Sequence, residues 1–244
     1  MKRQGWAFSG EIVAVIVAIA ASVVGQFVWA AASAAFAVIA AIAAHVWSRK
    51  DPAPMPYLMR WLLFTPRGPQ SPQHLKRLLQ PHSGERILEI GPGVGIHVLP
   101  VASSLLPDGV LDVLDVQQEM LDGLNRRAAK AGITNIIARR GDAQMLPYPD
   151  HTFDAAYLIS VLGEIPDGAA ALAELRRVLK PAGRLVIGEV LIDPDYISLI
   201  TMKEKAERAG LIFEQKAGPM IAYFAVFHAS DAIEPELSGR AALK

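Results

Sequence analysis

Three glycines at alternate positions, Gly91, Gly93 and Gly95, follow the apolar run ILEI, and two carboxylates, Asp115 and Asp142, each close a later run of β-forming residues. A strand entering closely spaced glycines makes a tight turn with bare backbone N–H groups, which cradles phosphates, dinucleotides or other adenosine-bearing ligands. An acid at the end of the next strand can accept both hydroxyls of a ribose. Asp142, in GDAQML, can accept from an exocyclic adenine amine, and the Ala143 N–H can meet a ring nitrogen. Val116 can pack on the adenine face. The spacing is G-x-G-x-G with Ile96 next, not the dinucleotide G-x-G-x-x-G, which speaks against a nicotinamide oxidoreductase. No Gly-Lys-Ser/Thr follows, which excludes a P-loop. Glycines and acids together outline an adenosine site.

Such a site needs a parallel sheet to bring its parts to one edge. The hydrophobic pattern predicts strands over 86–90, 109–114, 134–139, 153–160 and 184–190, with helices after Gly95 and over 117–131, 169–179 and 197–209. The helix over 169–179 is expected to stop at Pro181–Gly183 (PAG) after its apolar face of Leu172, Leu175 and Val178. Strands separated by helices imply an α/β, doubly wound sheet. The last segment, LIFEQKAGPMIAYFAVFHA, reads as two strands around Gly218–Pro219, an antiparallel hairpin at the sheet's end.

The stretches ILEIGPGVG, LDVLDVQQEML, RRGDAQMLPYPDHTFDAAYLISVL and ELRRVLKPAGRLVIGE occur in this order. They resemble the successive motifs of class I S-adenosylmethionine-dependent methyltransferases, in particular the ubiquinone/menaquinone C-methyltransferase-like (methyltransferase type 11) group. The resemblance covers about residues 84–228. It implies a seven-stranded Rossmann-like sheet with an antiparallel last strand, and S-adenosyl-L-methionine as cofactor with S-adenosyl-L-homocysteine as product. On this resemblance Glu89, Gly91, Gly93 and Gly95 line the methionine end, Asp115 holds the ribose, and Asp142 and Ala143 hold the adenine. Ile159 and Ser160, ending the fourth strand, lie near the reacting methyl group. Two departures fall on the acceptor side: VLGEIPD replaces a pair of histidines after the fourth strand, and the short LIDPDY replaces a long insertion after the fifth.

Methyl transfer from a sulfonium is an in-line displacement, so alignment supplies much of the catalysis, and a base is needed only where the nucleophile must lose a proton. Glu164 and Tyr196 are the expected catalytic residues, with His151 and Tyr148 as further candidates near the methyl group. His97 reads as a local helix-end residue.

The N-terminal part is chemically different. From Ile12 to Trp47 the chain carries no Asp, Glu, Lys or Arg, whereas Lys2 and Arg3 precede this run and Arg49 and Lys50 follow it. As one helix it would measure about 54 Å against a hydrocarbon core of roughly 30 Å. The expectation is a transmembrane hairpin of two short spans turning near Gly25–Gln26, or one long tilted helix. Basic residues at both ends place the catalytic domain on the cytoplasmic side. The small residues of WAAASAA, 29–35, offer a face for close helix packing, within the hairpin or in a homo-oligomer. Prolines at 52, 54, 56, 66 and 69 then interrupt the chain around YLMRWLLF, which suits a headgroup-level element or a helix packed on the domain. Ser71–Pro72 reads as the cap of a helix presenting Leu75, Leu78 and Leu79.

The expected domains are therefore 1–50 for the membrane segment, 51–83 for the linker, 84–228 for the methyltransferase domain and 229–244 for a polar tail. The 24 basic and 24 acidic residues cancel, which argues against a nucleic-acid partner. The lack of cysteine excludes disulfides, thiolate metal sites and cysteine nucleophiles, and no metal ligand set is expected. The expected function is methyl transfer to a membrane-dissolved lipid such as a phospholipid amine. The alternatives are a quinone precursor, a soluble acceptor of a merely tethered enzyme, and a tethered scaffold with a degenerate cofactor pocket.

Overall fold

The structure, a computed structural model, describes residues 22, 24–39, 42–43, 45–46, 50–64 and 68–230. The chain falls into two compact units, Met1–Trp47 and Ser48–Lys244.

In the first unit, residues 24–39 are helical and their large apolar side chains, Phe27, Trp29, Phe36 and Ile39 among them, are exposed. Gly25 and Gln26 lie inside this helical run, so the chain does not turn there. A single glycine in an alanine-rich helix costs only about 1 kcal/mol, and no proline enforces a break. Among the described residues no helix is long and apolar enough to cross a membrane. Much of the expected span at 12–47 lies outside the described residues, as does the tail from 231.

The second unit is built on one seven-stranded sheet. Its strands are β1 (Arg86–Ile90), β2 (Val110–Asp115), β3 (Ile136–Arg140), β4 (Phe153–Ile159), β5 (Leu179–Val190), β6 (Leu211–Ala217) and β7 (Ala222–Ala229), in the order β3-β2-β1-β4-β5-β7-β6. β1 to β5 are parallel, and β7 runs antiparallel to both β5 and β6. Helices α1 (Pro72–Leu79), α2 (Val98–Ser104), α3 (Gln118–Lys130), α4 (Gly168–Val178) and α5 (Leu199–Arg208) cover the faces.

Period-two alternation divides the core between two layers. Ile87, Val113, Tyr157 and Phe224 pack with Leu75 and Leu79 of α1, Val98 of α2 and Leu124 of α3. Leu88, Leu114, Leu158 and Phe227 pack with Leu172 and Leu175 of α4 and Met202 of α5. The β4-β1-β2 order reverses direction at β1, so the carboxyl ends of β1 and β4 open a crevice where a doubly wound sheet binds its ligand.

α1 begins as expected, with Ser71 accepting from the His74 N–H. α4 ends one residue earlier than the apolar pattern suggests. Leu179 is already extended and pairs with Phe153, after which the register jumps to Arg184 opposite Ala155. Pro181 would clash with the Arg177 carbonyl in a continued helix. That carbonyl and the next instead accept from the His151 and Thr152 N–H groups.

The segment Tyr57–Phe64 forms a 3-10 helix. Its three residues per turn explain its two faces. Tyr57, Arg60 and Leu63 are half-buried, while Leu58, Trp61 and Phe64 form an exposed apolar ridge, Leu58 at 80% and Trp61 at 64%.

Candidate functional site

At the end of β1 the Gly91 N–H donates to the Leu114 carbonyl at 2.9 Å, folding the chain over the end of β2. Gly91 has φ +64° and Gly93 φ +52°, the left-handed region that glycine enters without strain. A Cβ at Gly91 would lie 2.5 Å from the Val161 side chain, and one at Gly93 2.8 Å from Leu63. Behind the turn, Glu89 is buried and accepts from the Tyr157 hydroxyl at 2.5 Å. Burial, then the neighbouring Glu89 carboxylate, pushes the Tyr157 phenol well above its ordinary value, so it remains a donor.

Asp115 ends β2 and is buried, its carboxylate accepting from the Gln117 N–H at 2.9 Å and from the Gly93 and Val116 N–H groups. Burial raises its pKa and these three donors oppose the rise. One acid thus ties the glycine turn to the start of α3. The Gly141 N–H donates to the Asp115 carbonyl at 3.0 Å, which brings the end of β3 alongside. Asp142 there accepts from the Gln144 N–H and side-chain amide, Ala143 is buried, and Val116 is exposed. The expected ribose and adenine residues therefore share one rim. A glycine cradle with no room for side chains, followed by an ordered acid, fits an adenosine-bearing cofactor.

β4 delivers Ile159 and then Ser160, which has φ +55° and whose N–H donates to the Gly188 carbonyl. The 3-10 turn Leu162–Glu164 follows. Burial pushes the Glu164 carboxyl up to about 8, with Asp193, Asp195 and Asp115 adding repulsion and the Met55 N–H opposing. Glu189, near the end of β5, is likewise raised to about 8 by burial. Asp193 is raised by burial and held back by the Asp195 N–H and the Ser160 hydroxyl.

These raised values set a pH dependence. Between about 4.5 and about 8 the folded chain keeps protons on Glu164 that the unfolded chain has released, so stability falls as pH rises through that window. Below it both states are protonated and the contribution vanishes. Glu164→Gln should therefore melt higher than wild type at pH 9 and at the same temperature at pH 4, read by circular dichroism. Equal melting at pH 9 would contradict the buried placement.

The linker also enters the site. The Gln117 side chain donates to the Met55 carbonyl at 2.9 Å, and the Met55 N–H faces Glu164. Met55 thus bridges the end of β2 and the turn after β4, with Leu63 set on Gly93. Residues 51–64 form a strap across the crevice. The strap contacts, Asp193, Asp195 and Glu189 were not among the expected site residues. Glu189 carried a signal, as an acid within the apolar run LVIGEV.

Other candidates stand elsewhere. His151 and Tyr148 precede β4 and so lie at its amino end, across the sheet from the crevice. His151 Nδ1 meets the Leu179 carbonyl at 3.0 Å, and Tyr148 packs edge-on against Phe153 in the core. Tyr196 follows β5, but its hydroxyl donates to the Met220 carbonyl at 2.8 Å and its ring meets Tyr223 edge-on. It joins the loop to the β6–β7 hairpin and does not present a free base. His97 is buried, its Nε2 2.9 Å from the Gln70 carbonyl, which makes it a packing residue.

Residues 88–187 match the methyltransferase domain family. The 27-O-demethylrifamycin SV methyltransferase of Amycolatopsis mediterranei is 30% identical over 56% of this chain and 50% of its own length. A ubiquinone/menaquinone biosynthesis C-methyltransferase of Saccharophagus degradans is 34% identical over 44% of this chain and 43% of its own. The chain spans about half the length of these curated relatives. In fold, it superposes on a SAM-dependent methyltransferase from Aquifex aeolicus with a TM-score of 0.67, covering 72% of this chain and 100% of that one at 19% identity.

Proposed function

We propose that this chain, which carries a methyltransferase domain with S-adenosylmethionine as its cofactor, transfers the methyl group to an acceptor dissolved in a membrane, such as a phospholipid amine. The observation that carries the reading is an apolar rim around the crevice. Leu58, Trp61 and Phe64 project from the strap, and Leu191 and Ile192 from the loop after β5, with Ile192 at 90% exposure. Met145, after β3, adds to the rim at 77%. An apolar patch surrounding a polar cleft suits docking on a bilayer more than contact with water. The uncharged run at 12–47 supports the same reading, with the domain on the cytoplasmic side and the small residues at 29–35 available for self-association.

The cofactor, when bound, supplies an electrophilic methyl on a sulfonium. The chain's own residues do the rest. Asp115, Asp142 and Ala143 hold the adenosine, Glu89 and the glycine turn hold the methionine end, and the strap excludes water from the crevice.

Trp61 tests the docking face. Replacing this exposed side chain leaves the fold within about 0.5 kcal/mol. Losing its insertion, about 1.5–3 kcal/mol, should raise KM for a vesicle-borne acceptor roughly 10- to 150-fold. Trp61→Ser should therefore show that KM rise with an unchanged cofactor Kd. An unchanged KM would count against membrane docking, and turnover of only water-soluble acceptors by the full chain would sink the reading.

Methylation of a quinone precursor at carbon is the second reading. It is favoured by the similarity to the Saccharophagus degradans enzyme. Product mass after digestion of the labelled lipid separates the two.

A further inference from the structure

The acids beyond β4 and β5 lie outside the set of residues assigned to the cofactor. Glu164 follows β4, and Asp193 and Asp195 follow β5. Gly163 lets the two loops close, because a Cβ there would sit 2.1 Å from the Asp195 carbonyl oxygen and 2.6 Å from its Cβ. The Asp115 charge reaches Glu164, so the group borders the cofactor cleft, and the buried Ser160 hydroxyl faces Asp193.

Beneath them lies Glu189, only 1% exposed and facing Asp193 and Asp195. Its Oε2 accepts from the Ile197 N–H at 3.1 Å. Its Oε1 is enclosed and has no hydrogen-bond partner. Lys205 of α5 is the cation whose charge reaches it. Carboxylates gathered in a desolvated place repel one another until a cation joins them. Among the described residues no three His, Cys, Asp or Glu groups close tightly enough to hold a metal ion. Acids that gather without converging suit a larger cation with several N–H donors, and an ammonium has three.

We propose, building on the reading of a membrane-dissolved acceptor, that Glu164, Asp193 and Asp195, with Glu189 beneath them, bind a protonated primary amine on that acceptor, and that Glu164 takes its proton. The ammonium's charge favours the ionised form of Glu164, so amine binding displaces the proton that burial keeps there. The N–H bond then breaks toward the Glu164 carboxylate and the freed lone pair forms the N–C bond. The C–S bond breaks with its electron pair left on sulfur, and the proton leaves to solvent. The products are a methylated amine and the uncharged thioether.

The test uses the full chain, methyl-labelled S-adenosylmethionine and phosphatidylcholine vesicles. The vesicles carry an ethanolamine-headgroup lipid, its N-acetylated form, or a hydroxylated quinol. Label should enter only the free-amine lipid. Glu164→Gln should lower kcat about 100-fold or more, and Asp193→Asn should raise KM about 10-fold. Cofactor Kd, which also reports folding, should stay within about 3-fold in both. Without cofactor, calorimetry in two buffers of different ionisation enthalpy should show proton release when amine vesicles bind, and Glu164→Gln should abolish it. Labelling of the N-acetylated lipid or the quinol as fast as the amine would overturn the amine site while leaving the lipid reading intact. With free ethanolamine added as a water-soluble control, label entering it and none of the lipids would overturn both.

Discussion

Asp115→Asn should weaken S-adenosylmethionine binding by roughly 10- to 150-fold, the equivalent of about 1.5–3 kcal/mol for a hydrogen bond to a charged group. The carboxylate closes β2, is desolvated, and accepts backbone N–H groups from Gly93, Val116 and Gln117. An amide keeps one acceptor oxygen but turns two donors toward a site lined by donors. It would therefore weaken the ribose interaction expected of this acid and loosen the turn at Gly93 together. Calorimetric titration reads the change, and a parallel melt separates it from unfolding. A Kd within about 3-fold of wild type would remove Asp115 from the cofactor site.

Arg86→Ala should cost about 3–5 kcal/mol of stability, because it strands a buried carboxylate. Asp112 has a fully buried side chain, and Arg86 holds it with two hydrogen bonds of 2.7 and 3.0 Å. The guanidinium also lies 5.4 Å above the Phe153 ring. For a domain of this size the melting temperature should fall by about 6–20 °C. The partners are unequal, since the Arg86 side chain is 42% exposed and water can solvate it alone. Adding Asp112→Ala to Arg86→Ala should therefore recover part of the loss. A double variant no more stable than Arg86→Ala would show that packing, not the stranded charge, sets the cost.

The sheet was legible because each parallel strand is a short apolar run bounded by glycine, proline or an acid, and the amphipathic helices between them repeat at helical spacing. The glycine turn and Asp115 were legible for the same reason, as they sit where a strand must stop. The β4–β5 irregularity was not, because the pairing of Leu179 with Phe153 is a tertiary choice made where Pro181 forbids more helix. His151 and Tyr148 were misplaced through nearness in sequence to β4. Residues before a parallel strand stand at its amino end, away from the ligand crevice. The acid group beyond β4 and β5 was half legible. Glu164 stood out alone, whereas Asp193, Asp195 and Glu189 join it only through the close packing at Gly163. The strap was legible as an amphipathic aromatic segment, but its position over Gly93 depends on Met55 bridging Gln117 and Glu164.

The most direct measurement is incubation of the full chain with methyl-labelled S-adenosylmethionine and vesicles of total membrane lipid, followed by extraction and mass analysis of the labelled product. Label is expected in the lipid phase, and lost with Asp115→Asn. Label confined to the aqueous phase, or lipid labelling unaffected by Asp115→Asn, would contradict this expectation.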